Sequence, residues 1–343
     1  LSCSSNNYDI QKFNSILTSC TLPIYGAIFP GIIYQGELKQ QGSLVISVKM
    51  KLESATFSNI SDAGSNLISD IQQQYHQLNK HNNFLMFVDS MSERSEEFID
   101  LFYEIFGDGI NVIGGGAGSL MMSKTPTLIT NQGVVADAVQ VIGLPSALRT
   151  HASHGWEIAD GPFLVTQSEK NHLISLNYQP AFQLYAKSVE SISQTQLTNS
   201  NFINIAKRYP LGIQNISGEL LIRDPILTNN NELYCVGDVP TNFMVYVLKS
   251  SNEQLIDSAQ YAALQAKACR DEHSGQKLDI AIVFDCISRF LYMGNEYTAE
   301  LNAIQEGLGK SQTMVGVMSL GEIANLSHGN LAFLNKSTVV GSM

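Results

Sequence analysis

Apolar residues recur every three or four positions in several stretches of the chain, which is the spacing of a helix that buries one face. In residues 7–19 this spacing places Ile10, Phe13, Ile16 and Leu17 together. The same pattern predicts further helices over residues 61–80, 95–106, 179–193, 252–270 and 296–308. Each of these helices needs a sheet or another helix against which to pack.

Short runs rich in apolar and β-branched residues lie between the helices and predict strands. Residues 42–52 alternate between apolar and polar positions, which is typical of a half-buried strand. Further strands are predicted over residues 84–90, 110–119, 242–250, 278–286 and 313–319, with hairpins over 163–177 and around residues 131–133 and 328–330. Strand–helix–strand units beside hairpins indicate an α/β (mixed α+β) fold whose sheets combine parallel and antiparallel strands.

The two halves of the chain repeat the same order of elements. MFVDS, a helix, NVIGGGAG and a hairpin around NQG correspond to IVFDC, a helix, TMVGVMSLG and a hairpin around HGN. In this alignment Asp89 corresponds to Asp285, and Gly133 to Gly329. Internal similarity of this kind predicts two related units.

A second repeated phrase consists of glycine, four residues, glycine, one residue and isoleucine. It runs from Gly26 to Ile33 and again from Gly316 to Ile323. Because ligands bind at the carboxyl ends of strands in open α/β sheets, we expect these glycine turns to line a pocket between the two units.

Polar composition suggests how the chain is divided. Residues 194–232 are rich in Asn, Ser and Thr and predict a connection and an access loop. The expected organisation is therefore a first unit over residues 1–193, this connection, and a second unit over residues 233–343.

Charge and cysteine usage narrow the functional classes. The net charge of −11 argues against binding to nucleic acid or to an anionic membrane. The five cysteines are scattered and never spaced as metal ligands, which fits a reducing cytoplasm. No apolar run approaches the roughly 20 residues that a membrane-spanning helix needs.

The glycine-rich run GGGAGS, which contains Gly115 and Gly116, invites comparison with phosphate-binding loops. Such loops open a helix, and a P-loop also ends in lysine followed by serine or threonine, whereas this run leads into strand-like residues. We expect these glycines to allow a close approach of backbone or ligand, because they carry no Cβ.

The motif HASHGWE places His151, His154 and the single tryptophan, Trp156, close together. In a strand His154 and Trp156 would share one face, with His151 on the other. They form either a hydrogen-bonded core histidine beside a packed indole or a ligand-binding pair. Zinc is not expected, since the motif supplies only Glu157 and Asp160 as further ligands.

Charged residues also follow the predicted strands of the second half. Arg289 either binds a ligand carboxylate or pairs internally with Asp285 or Glu322, and we favour the internal pair. Cys286 has no histidine base identifiable from spacing. We find no catalytic constellation and expect that the protein is not an enzyme.

Taken together, VIGGGAGS, HASHGWE, IVFDCISR and VGVMSLGEI resemble, in this order and over nearly the whole chain, the FIST sensory module with its N-terminal and C-terminal parts. The family's histidine-Gly-Trp motif corresponds to His154–Trp156, its cysteine and arginine to Cys286 and Arg289, and its Gly-Glu-Ile motif to residues 321–323.

The resemblance implies a bacterial, cytoplasmic sensor that binds a small ligand, such as an amino acid, and regulates a separate signalling protein such as a histidine kinase. The expected ligand-binding residues are His154, Trp156, Gly115, Gly116, Asp285, Cys286, Arg289, Ser319 and Glu322. Stand-alone members also resemble the haem-binding nitric oxide sensors called NosP. That alternative would place haem b on His154 or His151. A third interpretation is an adaptor that binds only protein partners.

Overall fold

The computed structural model describes residues 1–6, 8–121, 124–215, 218–272 and 278–343. Its strands are β1 (Ser2–Cys3), β2 (Gly26–Phe29), β3 (Gly31–Tyr34), β4 (Glu37–Lys39), β5 (Glu53–Ser58), β6 (Asn83–Asp89), β7 (Asn111–Ala117), β8 (Leu128–Thr130), β9 (Gly133–Val135), β10 (Ala138–Leu144), β11 (Arg149–Ser153), β12 (Glu157–Glu169), β13 (His172–Leu176), β14 (Gln179–Pro180), β15 (Leu211–Gln214), β16 (Leu220–Asn229), β17 (Glu232–Val236), β18 (Met244–Lys249), β19 (Ile280–Cys286), β20 (Thr313–Ser319), β21 (Glu322–Asn325), β22 (Leu331–Leu334) and β23 (Thr338–Ser342). Its helices are α1 (Ile10–Ser19), α2 (Leu67–Leu78), α3 (Ser95–Phe106), α4 (Ala181–Ser193), α5 (Phe202–Ala206), α6 (Asn252–Asp271), α7 (Ile287–Met293) and α8 (Tyr297–Leu308), with a 3₁₀ turn at Gly294–Glu296. None of the helices in these described ranges is long and apolar enough to span a membrane.

Two six-stranded sheets repeat one topology, which confirms the predicted fold class. The first sheet has the order β22-β21-β7-β6-β10-β5, and the second has the order β4-β3-β20-β19-β23-β11. In each sheet the two central strands, β6 with β7 and β19 with β20, are parallel. The remaining neighbours are antiparallel. A four-stranded sheet, β1-β2-β8-β9, lies beside them.

Each half of the chain contributes a hairpin to the large sheet of the other half. The hairpin β21–β22 pairs with β7, so that Ile323 lies opposite Gly114. The hairpin β3–β4 pairs with β20, so that Ile33 lies opposite Gly316. The second copy of the repeated glycine phrase runs from β20 into β21 and so crosses between the two large sheets, whereas the first copy runs from β2 of the four-stranded sheet into β3. A Cβ on Gly114 or Gly316 would lie 2.1 or 2.3 Å from a carbonyl oxygen of the neighbouring strand, and only glycine fits.

The two large sheets pack face to face, with helices outside both of them. Phe29, Phe87 and Phe284 fill the space between the sheets, with ring centroids 5.9 to 6.2 Å apart. Helices α2 and α3 cover the outer face of the first sheet, while α6 and α8 cover the second. The result is a four-layer helix–sheet–sheet–helix sandwich with three apolar layers of contact.

The aspartates that the sequence aligns are offset by one position in the sandwich. Phe87 and Phe284 both face the layer between the sheets. Asp89 lies two residues after Phe87 and Asp285 directly follows Phe284, so the two carboxylates point to opposite faces of their sheets. The structural counterpart of Asp89 is Cys286, and the predicted equivalence is wrong by one residue.

The middle of the chain, residues 157–249, forms a closed antiparallel barrel between the sandwich strands that precede and follow it in sequence. Strand β12 pairs with β18 and β13, and the ring continues through β15, β16 and β17. Helices α4 and α5 pack with its apolar residues. The segment 194–232, expected to be a connection, instead supplies α5, β15 and β16. Its Leu211, Ile213 and Ile222 are buried, while its many polar residues occupy turns and outward positions.

The alternating segment 42–52 does not form the predicted strand. The regular strand begins only at Glu53, and the segment itself makes one isolated bridge, between Ser43 and Ser2. The side chain of Val45 is 88% exposed, so the alternating pattern does not bury one face of this segment. By contrast, the six helices predicted from apolar spacing are confirmed, within three residues at their ends except that α2 begins six residues later than predicted.

Candidate functional site

A cleft of about 770 Å³ lies between the sandwich and the barrel. Its sandwich wall begins where β6 and β19 end, at Ser90 and Cys286, and includes the crossing residues Leu320 and Gly321. The opposite wall comes from β16, β17 and the region of α5. The cleft therefore lies at the carboxyl ends of parallel strands, which is where α/β sheets commonly bind ligands.

Glycines bring the end of β7 and the turn between β20 and β21 into direct backbone contact below the cleft. The amide of Gly116 donates to the carbonyl oxygen of Gly321 at 2.9 Å, and the amide of Leu320 donates to the carbonyl oxygen of Gly116 at 2.9 Å. A Cβ on Gly116 would lie 2.1 Å from the carbonyl oxygen of Leu320. Leu320 and Gly321 line the cleft, whereas Gly115 and Gly116 lie behind them. Of the two glycine turns expected to line the pocket, the second contributes Leu320 and Gly321, and no residue of the first, Gly26–Ile33, is in the lining.

Asp224, on β16, is the most buried carboxylate that lines the cleft, at 6% exposure. Its Oδ2 accepts from the Ser288 hydroxyl at 3.0 Å and lies 3.1 Å from the ammonium nitrogen of Lys336. That nitrogen also donates to the backbone oxygen of Lys207 and lies 5.2 Å from the ring centroid of Trp156. The other oxygen, Oδ1, has no hydrogen-bond partner among the described residues.

On the facing wall, two serine hydroxyls also lack a hydrogen-bond partner among the described residues. Ser90 and Ser92 follow β6, line the cleft, and place buried Oγ atoms that have no partner in the part of the chain that the structure describes. An unpaired buried polar atom costs about 1–3 kcal/mol, so each one calls for an explanation. The indole N–H of Trp156 is also unpaired among the described residues, but Trp156 does not line the cleft. Together with Asp224 Oδ1, these hydroxyls offer hydrogen bonds to a molecule in the cleft.

An ion pair joins the two walls. Glu96, in the first turn of α3, lies 2.9 Å from the guanidinium of Arg223 on β16. It also accepts the backbone N–H of Asp238 at 2.9 Å. Burial raises the pKa of Glu96, although Arg223 opposes that shift. The barrel is thus tied to the first sheet beside the cleft by a largely buried contact.

Arg289 lies outside the cleft and is fully committed to the interior. Its guanidinium forms a two-pronged pair with Glu300, at 2.9 and 2.7 Å, and lies 3.5 Å from Asp285. It also donates to the backbone oxygens of His154 and Leu255, at 2.8 and 2.7 Å. Asp285 is buried as well, so neither residue is available to a ligand in the cleft.

Cys286 is the expected ligand-binding residue that does line the cleft. Burial and the nearby Glu322 raise the pKa of its thiol above the usual range. Glu322 is itself buried behind the wall, where it accepts from the Ser319 hydroxyl at 2.7 Å and the Ser337 amide at 3.2 Å. Burial raises the pKa of the Glu322 carboxyl. Ser319 and Glu322 therefore support the wall from behind.

The histidines of the HASHGWE motif also lie behind the cleft. Strand β11 ends at Ser153, and His154 to Trp156 form a turn in which the Nδ1 of His154 accepts the Trp156 amide at 2.9 Å. Burial, followed by the charge of Arg289, lowers the pKa of His154 to about 4. Burial likewise lowers the pKa of His151, whose ring contacts Tyr261 edge to face.

This arrangement does not fit the haem expectation. No histidine is among the described residues that line the cleft, and one ring nitrogen of His154 is already occupied. Trp156 packs against Tyr292 with 5.5 Å between ring centroids and lies over Lys336. In residues 1–6, 8–121, 124–215, 218–272 and 278–343 there is also no cluster of histidine, cysteine and acidic residues that could hold a metal ion.

Sequence reasoning missed the residues that present open polar atoms. Asp224 lies in a stretch interpreted as a turn, and Lys336 lies in a hairpin that carried no motif. Ser90 and Ser92 had a signal that could have been used, because they directly follow the predicted buried strand of the first half.

The chain matches two family models over almost its full length. A model described as the FIST N domain matches residues 1–179, and one described as the FIST C domain matches residues 181–325. The boundary falls inside the barrel, whose strands β12 and β13 belong to the first match and β15 to β18 to the second. A search of curated proteins finds no match.

Proposed function

This chain belongs to the FIST family of signal-sensing domains, and from that premise we propose that it binds a small organic ligand in the cleft and regulates a separate signalling protein, such as a histidine kinase. The proposal includes action in the cytoplasm and binding without chemical turnover. The raised pKa of the Cys286 thiol supports the last point, because a neutral thiol is a poor nucleophile.

The observation that carries the proposal is the lining of the cleft. Its volume of about 770 Å³ suits a small organic molecule. Apolar side chains, including Ile226, Leu291 and Phe333, accompany the open polar atoms of Asp224 and the two serines. Apolar walls with a few buried polar groups are the usual composition of a ligand site.

The position of the cleft suggests how binding is transmitted. A ligand that contacts Ser90 on the sandwich and Asp224 on the barrel would stabilise the arrangement in which the two parts are closest. Such a ligand shifts the population toward that arrangement, as differential affinity requires. A partner that contacts both parts would then sense occupancy of the cleft.

Thermal unfolding with a panel of amino acids and related amines and acids tests the proposal. A ligand present at 100 times its Kd should stabilise the native state by about 2.7 kcal/mol. Ile203→Trp, which fills the cleft, should abolish the shift. Ile158→Trp is the matched control, because Ile203 and Ile158 are 51% and 46% exposed and only Ile203 lines the cleft. A shift that survives Ile203→Trp would place the ligand elsewhere and refute the proposal.

A further inference from the structure

We propose that the cleft selects ligands that carry an ammonium group, and that this group binds the free oxygen of Asp224. The inference rests on the proposed function, since it assumes that the cleft is the ligand site. It adds the chemical class of the ligand and the residue that recognises it.

Asp224 is a hydrogen-bond acceptor, and one of its two oxygens, Oδ1, has no partner among the described residues. Ser288 and Lys336 both bind Oδ2, at 3.0 and 3.1 Å, and they fix the carboxylate plane. An aspartate carboxylate accepts hydrogen bonds and has none to donate. Oδ1 is buried in a residue that is 6% exposed, and it has no partner among the described residues.

Other carboxylates of the lining already have cations. Glu96 pairs with Arg223, Glu97 with Arg94 and Glu93 with Lys124. Asp238 also lines the cleft and is exposed at its rim. The Asp224 Oδ1 is therefore the acidic oxygen with both burial and an open bond.

An ammonium group fits this oxygen better than a hydroxyl or a carboxylate. A hydroxyl and an ammonium would both donate to a charged acceptor, and the ammonium adds the attraction between opposite charges. A ligand carboxylate could not bond to Oδ1, because both groups are acceptors. The lysines Lys170 and Lys207 also line the cleft. The Lys207 ammonium already donates to the backbone oxygen of Leu291 at 3.3 Å.

Three probes of equal chain length separate these chemistries. Isothermal titration of the full chain with hexylamine, hexanol and hexanoate compares an ammonium, a hydroxyl and a carboxylate on the same hydrocarbon. Hexylamine should bind at least roughly tenfold more tightly than hexanol, in line with the strength of hydrogen bonds to charged groups. Hexanoate should bind more weakly than hexanol.

Asp224→Asn should weaken hexylamine by roughly ten- to a hundredfold and leave hexanol within about threefold. Because this variant leaves Lys336 buried without its carboxylate, the charge-balanced double variant Asp224→Asn with Lys336→Met serves as a second test with the same expected loss. Asp238→Asn is the matched control, since it makes the same substitution at a lining carboxylate that is exposed at the rim and leaves Asp224 intact, so hexylamine should stay within about threefold.

Equal or tighter binding of hexanol or hexanoate, binding of none of the three probes, or unchanged hexylamine affinity in both Asp224 variants would overturn the inference. A neutral or acidic ligand from the thermal panel whose shift is lost in Ile203→Trp would leave the proposed function standing while this inference fails. If no compound binds the cleft at all, both fail.

Discussion

At the scale of single residues, His154 is a buried neutral histidine and makes stability depend on pH. Its pKa is about 4 in the folded chain against an ordinary value of 6.5, owing first to burial and then to Arg289. Between these values the unfolded chain binds the additional proton, so stability rises with pH. The contribution is fully present above pH 6.5 and is lost as pH falls through about 4.

We predict that His154→Asn removes this dependence, because an Asn side chain can accept the same amide two residues on. The difference in unfolding free energy between the native chain and the variant should fall by up to about 3 kcal/mol from pH 7.5 to pH 4, at about 1.4 kcal/mol for each pKa unit. Urea unfolding at several pH values measures it. The exposed His76→Asn is the control, and a pH-independent difference for His154→Asn would contradict the prediction.

Residue types alone identified which side chains are unusual but not which way they face. The single tryptophan, the buried arginine and Glu322 were all singled out, and the preference for an internal pair of Arg289 is supported, with Glu300 as its main partner. Glu300 could not be chosen in advance, because it lies on a different helix and only tertiary packing brings it within 2.9 Å.

At the scale of elements, the contact between Gly116 and the Leu320–Gly321 crossing sets the spacing of the cleft floor. We predict that Gly116→Ala destabilises the fold by about 1–3 kcal/mol, as expected for overpacking. The added Cβ would lie 2.1 Å from a backbone oxygen, which cannot rotate away as a flexible side chain would. Chemical denaturation measures the loss.

Gly64→Ala is the matched control. Its Cβ would approach nothing nearer than 3.5 Å, so its effect should stay within about 1 kcal/mol. Equal stability of the two variants would show that the floor can move apart freely.

Periodicity predicted helices well because each of them buries one face against a sheet. It also predicted hairpin turns at Gly133 and Gly329, which both have positive φ angles, 115° and 92°. It failed for residues 42–52 and for the barrel strands of 194–232. Alternation is the signature of a strand only when a partner edge is present, and such edges come from distant parts of the chain.

At the scale of the whole molecule, the sandwich and the barrel differ in how they depend on the chain. All six strands of the barrel ring lie within residues 157–249, so the ring closes without help from other segments. Each sandwich sheet, in contrast, contains a hairpin from the opposite end of the chain.

We predict that the fragment 157–249 folds by itself, whereas the fragment 1–156 does not. The shorter barrel fragment should unfold cooperatively on heating, with a near-ultraviolet signal from buried Tyr185. The fragment 1–156 lacks β21 and β22 and should show no cooperative transition, because the edge of β7 is then unpaired. Circular dichroism and size-exclusion chromatography check both, and a cooperative fragment 1–156 would disprove the mutual dependence of the sheets.

The repeat and the family could be recognised from the sequence. The exchange of hairpins between the two large sheets could not. Two copies of one phrase indicate similar corners without stating which sheet each corner enters. Only the pairings of Ile33 with Gly316 and of Ile323 with Gly114 reveal the crossing.

The borrowed hairpins also bear on how the protein is made. During translation the first sheet stays incomplete until the ribosome has released β22, which ends at Leu334. For most of synthesis the edge of β7 is therefore open to any other extended chain nearby, including the nascent chain on the next ribosome. A newly made chain that pairs with the hairpin of a second chain would leave the polysome as an intertwined dimer. Because this exchange needs two chains to meet, dilution during refolding of the purified protein should favour the monomer.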